Sequence, residues 1–195
     1  MNYPRMICLA AATSLAMIAL GAAPASATTV FTDSAKTVSY PAGTAVHGSL
    51  VPGTSSRVTV EGTETATCSS GTIEGKTTNR SAATISLDVS SWWAGNCSEA
   101  VTTVATGLLE IGWTSGSNGT VTGKATQKTT LMFGVSCTYG TGEGTDLGSI
   151  TGGSAPVLKI AALVPKVAGG FLCPSKVGWD DEFEITQPHA LFVWS

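Results

Sequence analysis

Four carboxylates crowd into five residues near the C-terminus, Asp180-Asp181-Glu182-Phe183-Glu184. Paired carboxylates are the working groups of glycoside hydrolysis, one as acid and the other as base or nucleophile. Alternation with period two divides them. Asp180 and Glu182 read as the solvated face of a strand whose other face carries Trp179, Phe183 and Ile185. Asp181 then falls on the apolar face, and a bulge at Asp180-Asp181 would carry it back to water. The two histidines, His47 and His189, read as strand residues, His189 in the terminal strand. The chain lacks G-x-S-x-G, H-E-x-x-H and S-x-x-K, so no hydrolase motif surrounds them.

Gly142-Glu143-Gly144-Thr145-Asp146-Leu147 partly matches the calcium nonapeptide, with Thr141 where the first glycine belongs. Glu143 and Asp146 are oxygen ligands of the right type. A single copy leaves the oxygen cage incomplete, and the stretch reads as a long surface loop. It also lacks the Gly-Lys-Ser/Thr ending of a phosphate loop, so nucleotide binding is not supported. A calcium site at Glu143 and Asp146 stays open as the lesser alternative to a surface loop, and no cofactor is expected.

Trp92-Trp93 is the pair best suited to contact chemistry. Neighbours in a strand point to opposite faces, so one indole can enter the core while the other meets solvent or a second layer. An exposed Trp on a rigid β scaffold is a platform for a sugar ring or an apolar partner. A covering loop or twisted edge would instead hide both, which is the commoner fate of large aromatics. Trp113, Trp179 and Trp194 lie in alternating runs and read as core.

The elements that must hold these residues begin after a leader. Arg5 is followed by the apolar stretch Met6–Leu20 and by the small-x-small site Ala25-Ser26-Ala27. Residues 1–27 therefore read as a secretory signal peptide cut before Thr28, too short in its apolar part for a membrane span. Cys8 leaves with it. Cys68, Cys97, Cys137 and Cys173 remain, an even number, which in an exported chain favours disulfides. Four cysteines allow three connectivities; Cys68–Cys97 with Cys137–Cys173 closes the most modest loops. No close Cys or His pair suggests zinc.

The remainder reads as strands. Threonine accounts for 28 of the residues after the leader, and lysine for only seven in the whole chain. β-Branched side chains suit a half-buried pleated surface. Arg57–Glu61, Thr84–Val89, the series Leu131, Phe133, Val135, Cys137, Tyr139, and the series Trp179, Asp181, Phe183, Ile185 all alternate. Ala100–Leu109 fits a strand better than a helix. Val157–Val164 is a further strand that Pro165 ends or places on an edge. Pro52-Gly53, Ser70-Gly71, Gly95-Asn96, Ser117-Asn118-Gly119, Gly152-Gly153 and Gly169-Gly170 read as turns, Asn118-Gly119 as a hairpin. Charged residues are 12% of the chain and the net charge is −3, too acidic a balance for a nucleic-acid binder.

Val135–Gly142, Thr145–Gly148, Thr151–Ser154, Val164–Lys166 and Phe171–Ser175 together resemble a group of small secreted actinobacterial proteins. Those have a signal peptide, a Thr/Gly/Ser-rich β body and two cysteine pairs. The resemblance covers most of the chain after the leader and is strongest from Gly112 to Trp179. It implies export and a β fold, not a reaction. More distantly, composition and cysteine style resemble PraB-like secreted proteins, named as activators of alkane oxidation and associated with the cell surface.

The expectation is an all-β fold, a two-sheet antiparallel β-sandwich braced by two disulfides, as a single domain over 28–195. Its function is that of a secreted or cell-envelope-associated, non-catalytic binding or surface protein. A glycan or apolar surface ligand would be the partner, met through Trp92 or Trp93. Two rivals make distinct demands. A glycan-acting hydrolase built on the acidic cluster needs a cleft holding two carboxylates about 5 to 9.5 Å apart. A small β-barrel pore needs an outward apolar band with aromatic girdles, against which the Thr/Ser alternation counts.

Overall fold

The computed structural model describes residues 27–60, 63–98, 102–130 and 134–195. The leader up to Ser26, and Glu61, Ala100, Leu131 and Phe133 from the runs above, lie outside the described residues. The chain is all-β, with antiparallel pairing throughout two sheets and two disulfides. Its strands are β1 (Thr28–Phe31), β2 (Ala45–Leu50), β3 (Ser56–Val60), β4 (Thr63–Thr77), β5 (Ser81–Ala82), β6 (Ile85–Cys97), β7 (Thr102–Ser115), β8 (Asn118–Thr130), β9 (Ser136–Gly140), β10 (Thr145–Thr151), β11 (Val157–Ala168), β12 (Lys176–Gln187) and β13 (Phe192–Trp194). Among the described residues no helix is long and apolar enough to cross a membrane.

The ten-stranded sheet closes on itself. β2 and β3 form one interrupted lane between β4 and β12, and β9 and β10 form another between β8 and β11. The remaining pairings, β4–β6, β6–β7, β7–β8 and β11–β12, complete a ring in chain order. The sandwich thus has two facing layers joined by main-chain hydrogen bonds at both margins. Trp92 of β6 meets Trp179 and Phe183 of β12 edge-on across the interior, at centroid distances of 5.3 and 6.1 Å. Closure leaves the large sheet no long free edge to recruit another chain.

The ring has two unlike ends. One carries the β4–β6, β7–β8, β10–β11 and β12–β13 connections. There the small sheet β13-β1-β5 lies across the opening. Thr28 Oγ1 accepts from the Trp113 N–H and donates to Ala83 O, tying β1 to the ring. The opposite end carries both disulfides. Cys68–Cys97 joins directly paired residues of β4 and β6, and Cys137–Cys173 joins β9 to the β11–β12 loop.

Several turn expectations shift. Ser70-Gly71 and Gly95-Asn96 are not turns; they lie within β4 and β6. Their glycines serve close approach. A Cβ on Gly71 would meet Trp93 O at 3.1 Å and the Leu50 side chain at 3.2 Å, and one on Gly95 would occupy the space of the Trp93 ring. The β7–β8 hairpin exists, but Gly116-Ser117 makes its turn, with Gly116 at φ +55°, and Asn118-Gly119 opens β8. β11 runs past Pro165 to Ala168. On the β9–β10 side its pairing lapses between Ile160 and Lys166, so the absent proline N–H breaks no ladder bond. His47 is a strand residue of β2, whereas His189 sits in the bend between β12 and β13.

Candidate functional site

Ile85, Leu87 and Val89 of β6 all point inward, and strict alternation would continue that face through Ser91 and Trp93. Pairing shifts instead. Val89 opposes Gly107 of β7, while Trp92 opposes Ala105, three residues against two; a matching shift occurs against β4. This bulge at Ser90-Ser91 reverses the parity of the strand. Trp92 and Ala94 therefore turn into the core, each 3% exposed, and Trp93 turns out at 39%. As a ligand contact Trp92 is corrected: it is enclosed by Trp179 and Phe183 and reaches no surface. Trp93 stands on the outer wall beside Thr72 of β4, its ring over Gly95.

The acidic cluster is split by the sheet. Asp180 and Glu182 face outward on β12, and Glu182 Oε1 accepts from Lys159 Nζ at 2.7 Å. With Arg57 and Ser55 they border an open hollow of about 310 Å³. Asp181 faces inward and is 5% exposed. The bulge expected at Asp180-Asp181 is absent, because β12 pairs with β11 in unbroken register from Lys176 to Glu184. Asp181 shares a cavity of about 10 Å³ with Ser56, Trp92, Gln127 and Trp179. Burial pushes its carboxyl up to about 7, and the charge of Asp180 acts in the same direction. Ser56 and Trp92, which favour the ionised form, offset part of this. Asp181 Oδ1, Gln127 Oε1 and Trp179 Nε1 have no hydrogen-bond partner. A lone carboxyl on one side of the sheet and two on the other do not face each other across a cleft.

The Gly-rich stretch bridges β9 to β10 and uses its polar groups locally. Thr141 Oγ1 accepts from the Ala125 N–H and donates to Gly123 O, replacing ladder bonds where the lane is interrupted. Asp146 Oδ1 accepts from the Gly148 N–H. Glu143 borders a trough of about 400 Å³ on the outer wall, with Leu108, Glu110 and Lys124. Among the described residues no group of three or more Asp, Glu, His and Cys is placed to hold a metal ion. His47 Nδ1 lies 3.1 Å from Thr186 Oγ1, and its Nε2 lies 3.5 Å from Glu74 Oε1, with no serine nucleophile in contact.

Among the described residues, the most exposed apolar feature was not legible from residue spacing. Phe171 is 94% exposed at the tip of the β11–β12 loop, with Leu172, Leu163 and Val167 near 60%. The run Phe171-Leu172-Cys173 has the composition of a core segment, and only the third residue enters the core.

In comparisons with known proteins, no family model matches the chain, and neither a curated protein nor a solved structure matches it.

Proposed function

We propose that this is a secreted or cell-envelope-associated surface protein that binds a glycan or apolar ligand by contact and carries out no reaction. Its kin would be the small secreted actinobacterial proteins it resembles, with PraB-like proteins more distant. One observation carries the reading: Trp93 is a large aromatic left half-open to solvent on the wall of a closed, cross-braced sheet. An indole on a rigid strand has only two side-chain torsions to fix, so it loses little freedom on stacking against a sugar ring or an apolar surface. Export is supported by the leader-like first 27 residues and by two disulfides, which persist in oxidising compartments.

The rival readings have less support. Hydrolysis would need two carboxylates facing each other across a cleft. Asp180 and Glu182 stand side by side on an open strand face, Glu182 paired with Lys159, and Asp181 lies behind the sheet. A pore would need a lumen. Tyr139, Phe183, Leu109, Leu147 and Ile160 fill the ring, and the apolar cavity within it measures about 20 Å³.

The test is a screen of immobilised glycans and hydrophobes against the wild-type chain and Trp93→Ala. Truncating an aromatic anchor weakens binding by about tenfold or more. A folded Trp93→Ala protein that keeps every hit at wild-type strength removes Trp93 as the site.

A further inference from the structure

Phe171 and Leu172 are the two central residues of a tight turn closed by the Cys173 N–H donating to Gly170 O at 3.1 Å. The turn is held from three sides. Cys173 is bonded to Cys137 of β9. Lys166 Nζ donates to Gly170 O and to Cys173 O, at 3.3 and 3.1 Å, clasping both ends of the turn. Gly169 lies so close to Cys173 Sγ and to Ser136 O that a side chain there would collide. An apolar pair presented on so braced a support is ordered before it meets anything, and little conformational freedom remains to be lost on binding.

The surroundings name the partner. From Leu163 through Leu172 the chain exposes Leu163, Pro165, Val167, Phe171 and Leu172 around one charged residue, Lys166. Lys176 pairs across from Pro165 on β12, and Lys128 of β8 pairs with Thr138 of β9, which pairs with Ala168. On β9, on β11 beyond Leu163, in the loop and on β12 before Asp180, every charged side chain is a lysine, within a chain whose net charge is −3. Apolar residues at the apex with cations at the base match a lipid surface, acyl chains beneath anionic headgroups. A protein partner fits less well. The exposed apolar residues here are confined to one turn and the margin of one strand, whereas a stable protein interface draws on about 20–30 residues a side.

We propose that the β11–β12 loop is a membrane-docking tip. Phe171 and Leu172 enter the headgroup–acyl boundary of an anionic bilayer, and Lys128 and Lys176 rest against its phosphates. The proposal goes beyond ligand binding at Trp93, which lies on a different lane of the ring, β6 rather than β11. It rests on export only in requiring that a bilayer face be within reach.

The test is co-sedimentation of the oxidised full chain with vesicles of phosphatidylglycerol or of phosphatidylcholine. Wild type is expected to pellet with phosphatidylglycerol and to bind phosphatidylcholine more weakly. Phe171→Ser/Leu172→Ser, with both disulfides verified by intact mass, is expected to lose on the order of a hundredfold in partitioning. Lys128→Gln/Lys176→Gln should lose on the order of tenfold, with phosphatidylglycerol only. Trp93→Ala should sediment like wild type, which separates this result from failure of the ligand screen. Wild type left in the supernatant with both lipids, or a serine variant that binds equally well, overturns the proposal. A wild-type dimer that the serine variant abolishes, without vesicle binding, also overturns it and assigns the tip to a second copy of the chain.

Discussion

The two ends of the ring hold the same strands together by different means. Beneath the small sheet, where the buried Thr28 hydroxyl is hydrogen-bonded, Val30, Val46, Ile85, Ile111, Val121, Ile150 and Leu191 line one continuous apolar cluster. Tyr40 closes it, its hydroxyl donating to Ala190 O at 2.8 Å. At the disulfide end the interior contains Asp181, Gln127 and Thr129, each at most 5% exposed, and unpartnered polar atoms on Ser70, Gln127, Tyr139, Trp179 and Asp181, against one, Trp194 Nε1, in the small sheet. Unpaired buried polar groups oppose folding. Both disulfides found among the described residues are at that end. Packing suffices where the interior is dry; where the interior is polar, oxidised sulfur offsets the deficit.

Removing the links tests this most severely. The bridges span 29 and 36 residues, and each contributes about 3–4 kcal/mol by the chain-entropy argument. Cys68→Ser/Cys97→Ser and Cys137→Ser/Cys173→Ser should each lower the urea-unfolding free energy by that amount. In the reduced wild type, amide exchange should accelerate first in β3, β9 and the start of β12, while β1 and β13 stay protected. Opening that begins in the small sheet would reverse the comparison.

Asp181 is the next lever, and its sign is definite. Its carboxyl is raised in the folded chain to about 7, so folding favours the protonated form. That contribution is fully present below the ordinary carboxylate range near 4 and is lost as pH rises to about 7. The loss amounts to as much as about 4 kcal/mol. Asp181→Asn removes the ionisation and keeps the shape. Relative to the variant, wild type should fall behind progressively from pH 4 to pH 8 in urea midpoints. A gap constant across that range would mean the carboxyl does not titrate in the folded interior. At the dry end, Tyr40→Phe should cost only about 1 kcal/mol, the worth of one hydrogen bond, with no pH dependence between 4 and 8.

The alternating runs made β6, β9 and β12 readable, because an apolar residue at every second position has one economical placement. Ile85, Leu87, Cys137, Tyr139, Phe183 and Ile185 all face inward as the pattern implied. Asp181 was legible as the odd member of its face, and only unbroken register showed that it stays there. Which strands close the ring was not legible, since β12 pairs with β2 and β3 across more than 100 residues and no local pattern encodes that. Glycines misled because a turn and a close approach leave the same mark in a sequence. The bulge at Ser90-Ser91 decides which tryptophan is buried, and two serines do not announce it.

The smallest expected effect on stability bears on the candidate site itself. Gly95 lies beneath the Trp93 ring, where a methyl group would overlap Cζ2 and Cη2. Those atoms are the far edge of a side chain that is 39% exposed, so the ring can swing away without disturbing the β4–β6 ladder. Gly95→Ala should therefore change the unfolding free energy by no more than about 0.5 kcal/mol, as surface substitutions do. It should nevertheless shift the tryptophan emission and weaken any ligand found in the Trp93 screen. Trp92→Ala should do the opposite, costing about 3–5 kcal/mol through the cavity it leaves against Trp179 and Phe183. If Gly95→Ala destabilised the protein as severely as Trp92→Ala, the two faces of β6 would not be energetically separate, and Trp93 would be serving the core rather than a ligand.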